Sequence, residues 1–321
     1  MAYPLYINDI PYATHSRLNT LDIWLPRPLE ESPKDAVWVV CPPPRAANNY
    51  TKTTQHNTTQ VANAVLSYIH GGAWRDPLIG ASSIQPSIAH LLRTRSLSLP
   101  HIAGIASLHY RLSPYPTHPT HPTRLARDTT AAQLEGRAVA HPAHRDDVLE
   151  ALAALRRLYA VGTARAFVLL GHSCGATLAL QVLPQLAEEQ ALPRAVAGIS
   201  GIYDVPRFAA NHGDVPVYAE ILAGAFGGDG DSVDDAMRAA WAEASPVRVA
   251  AVLARLQRVV LAQSRADGLV EWEQVELMRR AAEETKGGQT VQVIEIQGQH
   301  DECWETGEGV ALVVEKLLEG L

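Results

Sequence analysis

Leu169-Leu170-Gly171-His172-Ser173-Cys174-Gly175-Ala176-Thr177-Leu178-Ala179-Leu180 decides how the rest of the chain is read. Ala166 to Leu170 is an uncharged run of strand length, and Ala176 onward is apolar with small residues. Between them stands Gly-x-Ser-x-Gly. A strand that turns into a helix through this pentapeptide is a nucleophile elbow, a turn so tight that only glycine fits on either side of the serine at its tip. Gly and Ser are common in turns, so the five letters gain their meaning from the flanks. The plainer alternative is a strand-to-helix turn in which Ser173 caps the helix.

The chain has 321 residues, 47% of them hydrophobic, enough for one large unit with a sizeable core. Formal net charge is −7 with no block of like charge, so there is no electrostatic footprint for nucleic acid or an anionic membrane. The partner expected is therefore a small-molecule substrate, and a homodimer is left open. Cys41, Cys174 and Cys303 are an odd set without framework spacing, which fits a reducing compartment. Met1 to Ile10 lacks a basic segment followed by an apolar one, so no secretory signal is read there and the expected location is cytoplasmic. Ala166 to Ala187 is a long charge-free window, but its polar residues and glycines suit a buried strand and helix better than a membrane span.

Outward from the elbow, Leu18 to Pro26 alternates apolar and polar residues, as an early antiparallel strand does. Ala36 to Cys41 and Ala64 to Ile69 compete for the next strand position. Between them lie Pro42-Pro43-Pro44 and an Asn/Thr/Gln-rich stretch that reads as a flexible surface loop. Joining Val40 to Tyr68 would give one uninterrupted strand, so 41–67 is expected to be a dispensable insertion, of the kind an unspliced intron would leave. Ile105 to Pro114 reads as a buried strand and loop, the stretch to Pro142 as mostly irregular with at most a short helix near Ala131, and Asp146 to Tyr159 as an amphipathic helix. Pro184 should kink or end the helix after the elbow. Ala195 to Ile202, Val259 to Gln263 and Val291 to Ile296 read as further strands, and Val310 to Leu318 as a closing helix. The excursion 206–246, with helical segments near Tyr218 and Ala236, is too long for a simple connection and is expected to form a small cap. Strands alternating with helices predict an α/β class with a mostly parallel central sheet covered by helices on both faces, as a single domain over 1–321.

A serine hydroxyl needs an imidazole to take its proton, and the imidazole needs a carboxylate to fix its tautomer. Ser173, Asp267 and His300 occur in the chain order of the α/β-hydrolase fold, each just past the carboxyl end of an apolar strand. Asp204 follows a strand too, but a cap or turn role suits it better, and Asp301 adjoins the histidine. Of thirteen histidines, His300 alone follows the last strand. His70-Gly71-Gly72-Ala73-Trp74-Arg75-Asp76-Pro77 follows a strand as well, and its glycines let backbone N–H groups approach a developing oxyanion. Donors are expected from among Gly71, Gly72 and Ala73, with a further one from Cys174, while His70 anchors the loop. An ordinary Gly-Gly turn is the alternative. Cys174 is not expected to be a nucleophile, because the elbow presents only its central side chain. The His118-x-x-His121 and His141-x-x-His144 pairs lack neighbouring acidic or thiolate ligands, so neither a metal nor any other cofactor is expected.

The His70–Trp74 motif followed by Arg75-Asp76-Pro77, the Gly171–Ala176 elbow, Tyr110 to Pro114, Gly201-Ile202-Tyr203-Asp204, Asp267-Gly268 and Gly298-Gln299-His300 together resemble the kynurenine formamidases, in particular their fungal branch. The resemblance runs from about Leu18 to the C-terminus. Trp74 in place of a third glycine, with Arg75-Asp76-Pro77, tilts the resemblance from hormone-sensitive-lipase-like esterases towards the formamidases. It implies an α/β-hydrolase that converts N-formyl-L-kynurenine to L-kynurenine and formate in tryptophan degradation towards NAD. Ser173 would then be the nucleophile, Asp267 the orienting acid, His300 the base and then the acid, and the HGGxW loop the oxyanion hole. Trp74, Tyr218 or Phe226 would be candidates to stack on the aniline ring. The 41–67 segment departs from the family pattern. The competing readings are a broad-specificity carboxylesterase with the same triad and a non-catalytic binding protein of the same fold.

Overall fold

The computed structural model describes residues 3–33, 37–40, 65–123, 136–227, 234–285 and 291–321. Its centre is one sheet. β1 (Leu5–Pro11) pairs antiparallel with β2 (Thr20–Leu25), which pairs antiparallel with β5 (Ile102–Leu108). Beyond β5 the pairing is parallel through β3 (Val37–Val40) and β4 (Val65–Ile69) to β6 (Phe167–His172), β7 (Ala195–Ile199), β8 (Arg258–Ser264) and β9 (Val291–Ile296). β1 is hidden in the sequence because its register slips between Ile7 and Ile10, which breaks the alternation of the exposed edge strand.

The helices follow from these crossovers: α1 (Gln85–Arg93), α2 (Ala143–Tyr159), α3 (Cys174–Gln181), α4 (Leu183–Glu188), α5 (Val205–Asn211), α6 (Pro216–Phe226), α7 (Asp235–Ala244), α8 (Glu273–Glu283) and α9 (Glu308–Leu318). Pro184 ends α3 and opens α4, where its missing N–H costs nothing. Successive residues of one strand enter different cores. Leu169, Val196 and Leu261 pack in the core with Leu152 and Leu155 of α2 and Met278 of α8, whereas Val168, Leu170, Ala197 and Val260 pack with Leu91 of α1 and Val313 and Leu317 of α9. Burial on both faces explains why these strands read as continuous apolar runs. It also accounts for the charge-free window from Ala166 to Ala187, which is strand and helix; no helix among the described residues is long and apolar enough to cross a membrane.

The space between β5 and β6 has two claimants in one register. Val40 and Ser67 both stand opposite Ala106, and Trp38 and Val65 both stand opposite Phe167. In each case the two lie 27 positions apart (67 less 40, 65 less 38). β3 and β4 therefore pair with the same positions of β5 and β6. Residues 41–64 of the expected insertion, and the short helix expected near Ala131, lie outside the described residues.

Candidate active site

The parallel strands all end on one side of the sheet, and the expected site residues stand just past those ends. At the end of β6 the chain reverses into α3 through Ser173, whose φ of 53° and ψ of −127° lie in a region that L-residues rarely enter. Its N–H is held by Ile199 O at 2.8 Å. The turn closes only because of its neighbours: a Cβ on Gly171 would lie 2.2 Å from Gly175 O, and one on Gly175 would lie 1.9 Å from Ile69 O. The second contact presses the elbow against the strand that carries the His-Gly-Gly loop.

Asp267 and His300, after β8 and β9, meet directly. Nδ1 of His300 lies 2.8 Å from Oδ2 of Asp267 and, since a carboxylate only accepts, carries the proton. Burial alone would raise the Asp267 pKa, but the His300 contact and the N–H groups of Val270 and Leu269 outweigh it and hold it at about 2. Ser173 Oγ and His300 form no direct hydrogen bond; the elbow reaches His300 through the residue before the serine. His172 is fully buried, and its Nε2 lies 3.0 Å from the His300 carbonyl, so Nε2–H is the donor. Burial and the nearby His300 ring push the His172 pKa down to about 4, so the ring is neutral near pH 7. Ser264 Oγ ties Gly298 O at 2.6 Å, fixing the other side of the His300 loop.

The His-Gly-Gly loop packs against the same point, for a Cβ on Gly71 would lie 2.8 Å from His172 Nδ1 and 3.0 Å from Ser173 Cβ. His70 is buried, stacked on Tyr110 at 4.3 Å, and donates from Nδ1 to Gly71 O at 2.7 Å. Burial pulls its pKa down to about 3, so it is a neutral anchor for the loop. Trp74 N–H donates to Cys174 Sγ at 3.2 Å, and Ala73 N–H also turns onto that sulfur. Burial pushes the Cys174 thiol up to about 11, so it serves as a neutral acceptor. Among the described residues, the N–H groups of Gly71 and Gly72 have no acceptor, and that of Cys174 turns onto its own sulfur. The use of the Cys174 sulfur to shape the loop is invisible in sequence, since the partners are 100 positions apart.

Trp74 is 1% exposed and lies edge-on to Phe226 of α6 at 5.2 Å, so it is a packing residue. Tyr218 of the same helix stacks on His212 at 4.2 Å and donates to Leu269 O at 3.3 Å, beside the Asp267 turn. Asp204 caps α5 by accepting from Arg207 N–H, and Asp301 accepts from Trp304 Nε1. His118 Nδ1 accepts from the backbone N–H of His121, and His144 Nε2 meets Ser113 Oγ at 3.1 Å. Among the described residues His172, His300 and Asp301 bring three metal-type ligand atoms within 4.8 Å of one another, and His172 Nδ1 is buried with no hydrogen-bond partner.

An open, mostly parallel sheet with helices on both faces and a serine elbow at its carboxyl edge defines the α/β-hydrolase fold. Solved structures agree: a carbohydrate esterase from gut microbiota covers 99% of this chain and 99% of its own at a TM-score of 0.61 and 14% identity. A carboxyl esterase of the fungus Tuber melanosporum covers 94% and 81% at 0.56 and 18%. No family model matches the chain. Curated relatives do. A kynurenine formamidase-like hydrolase of Fusarium equiseti is 32% identical over 98% of this chain and 95% of its own length, and a kynurenine formamidase of Aspergillus versicolor is 33% identical over 76% and 85%. The chain belongs to the kynurenine formamidase family.

Proposed function

We propose that this chain is a serine hydrolase that cleaves the formyl group from N-formyl-L-kynurenine, yielding L-kynurenine and formate in tryptophan degradation towards NAD. The observation that carries the reading is the Asp267–His300 pair, 2.8 Å apart and tied through His172 to the serine elbow. Ser173 Oγ attacks the formyl carbon while His300 Nε2 takes its proton, and Asp267 stabilises the imidazolium. The oxyanion is received by the N–H groups of Gly71, Gly72 and Cys174. His300 then protonates the departing arylamine, and water, deprotonated by the same histidine, releases formate from the formyl-serine. The formyl carbon carries hydrogen in place of an acyl side group, so a site crowded by Gly71 and His172 suffices. The excursion 206–246 serves as the cap, the cytoplasm is the compartment that cysteine usage supports, and no cofactor is required by this chemistry.

The test is the ratio of kcat/KM for N-formyl-L-kynurenine to that for p-nitrophenyl acetate, with Ser173→Ala as the blank. The expected ratio is far above one and both activities vanish in the variant. A ratio well below one with serine-dependent ester hydrolysis would make the chain a general esterase. Failure of a fluorophosphonate to label Ser173 would leave a non-catalytic binding protein.

A further inference from the structure

We propose that Glu220, on α6, is a positioning residue that holds the oxyanion loop in its working shape through Arg75. This rests on the serine-hydrolase reading above. The loop contains two consecutive non-glycine residues in the left-handed region, Ala73 at φ 50° and Trp74 at φ 59°. Such a pair persists only where the surrounding structure holds both ends. The upstream end is fixed by His70 and by Tyr110, whose hydroxyl donates to His70 O at 3.2 Å.

The downstream end is fixed by Arg75. Its N–H closes the turn on Gly72 O at 2.9 Å, and its side chain is only 3% exposed. The guanidinium lies 3.8 Å over the Tyr115 ring and donates from Nη1 to Glu220 Oε1 at 2.8 Å. That oxygen also accepts from Thr117 Oγ1 at 3.2 Å. Trp74 meets Phe226 of the same helix, so two successive loop residues are fastened to α6. The two members of the ion pair differ in a way that fixes cause and effect: Arg75 is buried, whereas the Glu220 side chain is 41% exposed. Removing a carboxylate from a buried guanidinium leaves an uncompensated charge, which is strongly destabilising. The relief open to it is for Arg75 to swing towards water, and Ala73 and Trp74 are the two residues that precede it in the chain. The N–H groups of Gly71 and Gly72 would then miss the oxyanion, and misplacement on the scale of 1 Å is enough to slow a reaction by about a hundredfold.

The experiment is a double-mutant cycle with Glu220→Ala, Arg75→Met and the pair together, plus Glu220→Gln. The readouts are kcat and KM for N-formyl-L-kynurenine and p-nitrophenyl acetate, and the rate of fluorophosphonate labelling. Glu220→Ala is expected to lower kcat about 10- to 100-fold for both substrates with KM changed less than about threefold. Glu220→Gln, which still accepts from Arg75, should recover part of the loss. The double variant should outperform Glu220→Ala, because no buried charge is left without a partner. Additive losses, an effect confined to KM, or a Glu220→Ala enzyme within about twofold of the parent would overturn the proposal. A parent protein that the fluorophosphonate does not label overturns the underlying reading and the proposal with it. A labelled parent with an unaffected Glu220→Ala enzyme overturns the proposal alone.

Discussion

His172 joins three parts of the site with one imidazole. Its backbone belongs to the elbow, its Nε2–H holds the His300 carbonyl, and its ring stands against Gly71. Replacing it by Phe keeps most of the volume and removes the donor. His172→Phe is expected to lose about 10- to 100-fold in kcat with little change in KM, and His172→Gln, which can still donate, to recover part of it; steady-state kinetics beside a melting curve check this. Because its pKa lies near 4, His172 adds no break to the rate profile at neutral pH. In the proposed mechanism Asp267→Asn removes the charge that stabilises the imidazolium, and it should cost about 10³- to 10⁴-fold in kcat. Its depressed pKa, about 2, contributes stability that is present above the ordinary carboxylate value and is lost as pH falls through about 2. An acid limb above pH 3 in the activity profile therefore belongs to another group.

At the scale of elements the instructive case is the slot between β5 and β6. Deleting 41–67 would place Tyr68 directly after Val40, and the observed partners are already consecutive: Val40 stands opposite Ala106 and Tyr68 opposite Ser107. The deletion variant is expected to fold with one continuous strand in that slot and to match or exceed the parent in kcat/KM and melting temperature. A variant that is insoluble or inactive would show that the segment belongs to the working enzyme, and a transcript read across the codons for Val40 and Tyr68 tests the same point at its origin. Both claimants were read as candidate strands in the sequence, but pattern alone could not say that they share a register. That is fixed by hydrogen bonding to β5 and β6, which lie far away in the chain.

For the molecule as a whole, Asp22 makes stability depend on pH. It is 1% exposed on β2, where burial raises its pKa to about 7 although the N–H of Asp9 and the Tyr6 hydroxyl both bond its oxygens. Between pH 4 and 7 the folded state keeps a proton that the unfolded chain has released, so stability falls as pH rises across that window and is flat above it. Asp22→Asn keeps the acceptor for Asp9 N–H and carries no charge. It is expected to stabilise the protein at pH 8 by on the order of 1–4 kcal/mol and to have little effect at pH 4, as denaturant titrations at the two values would show.

The sequence by itself determined the parallel strands, the elbow and the order Ser173, Asp267, His300, because each depends on local signals: apolar runs of strand length, glycines in a tight turn, and polar residues at strand ends. It left Asp204 as a cap or a turn residue, and the structure makes it the cap of α5. Only the tertiary structure decided which atoms meet: Cys174 Sγ accepting from Trp74 N–H, His172 holding His300, Arg75 neutralised by Glu220, and Trp74 buried against Phe226. These contacts join residues 100, 128, 145 and 152 positions apart in the chain. No periodicity in a chain reports a contact between segments that distant; it arises when several strand ends converge at one edge of a sheet and their side chains share the same space.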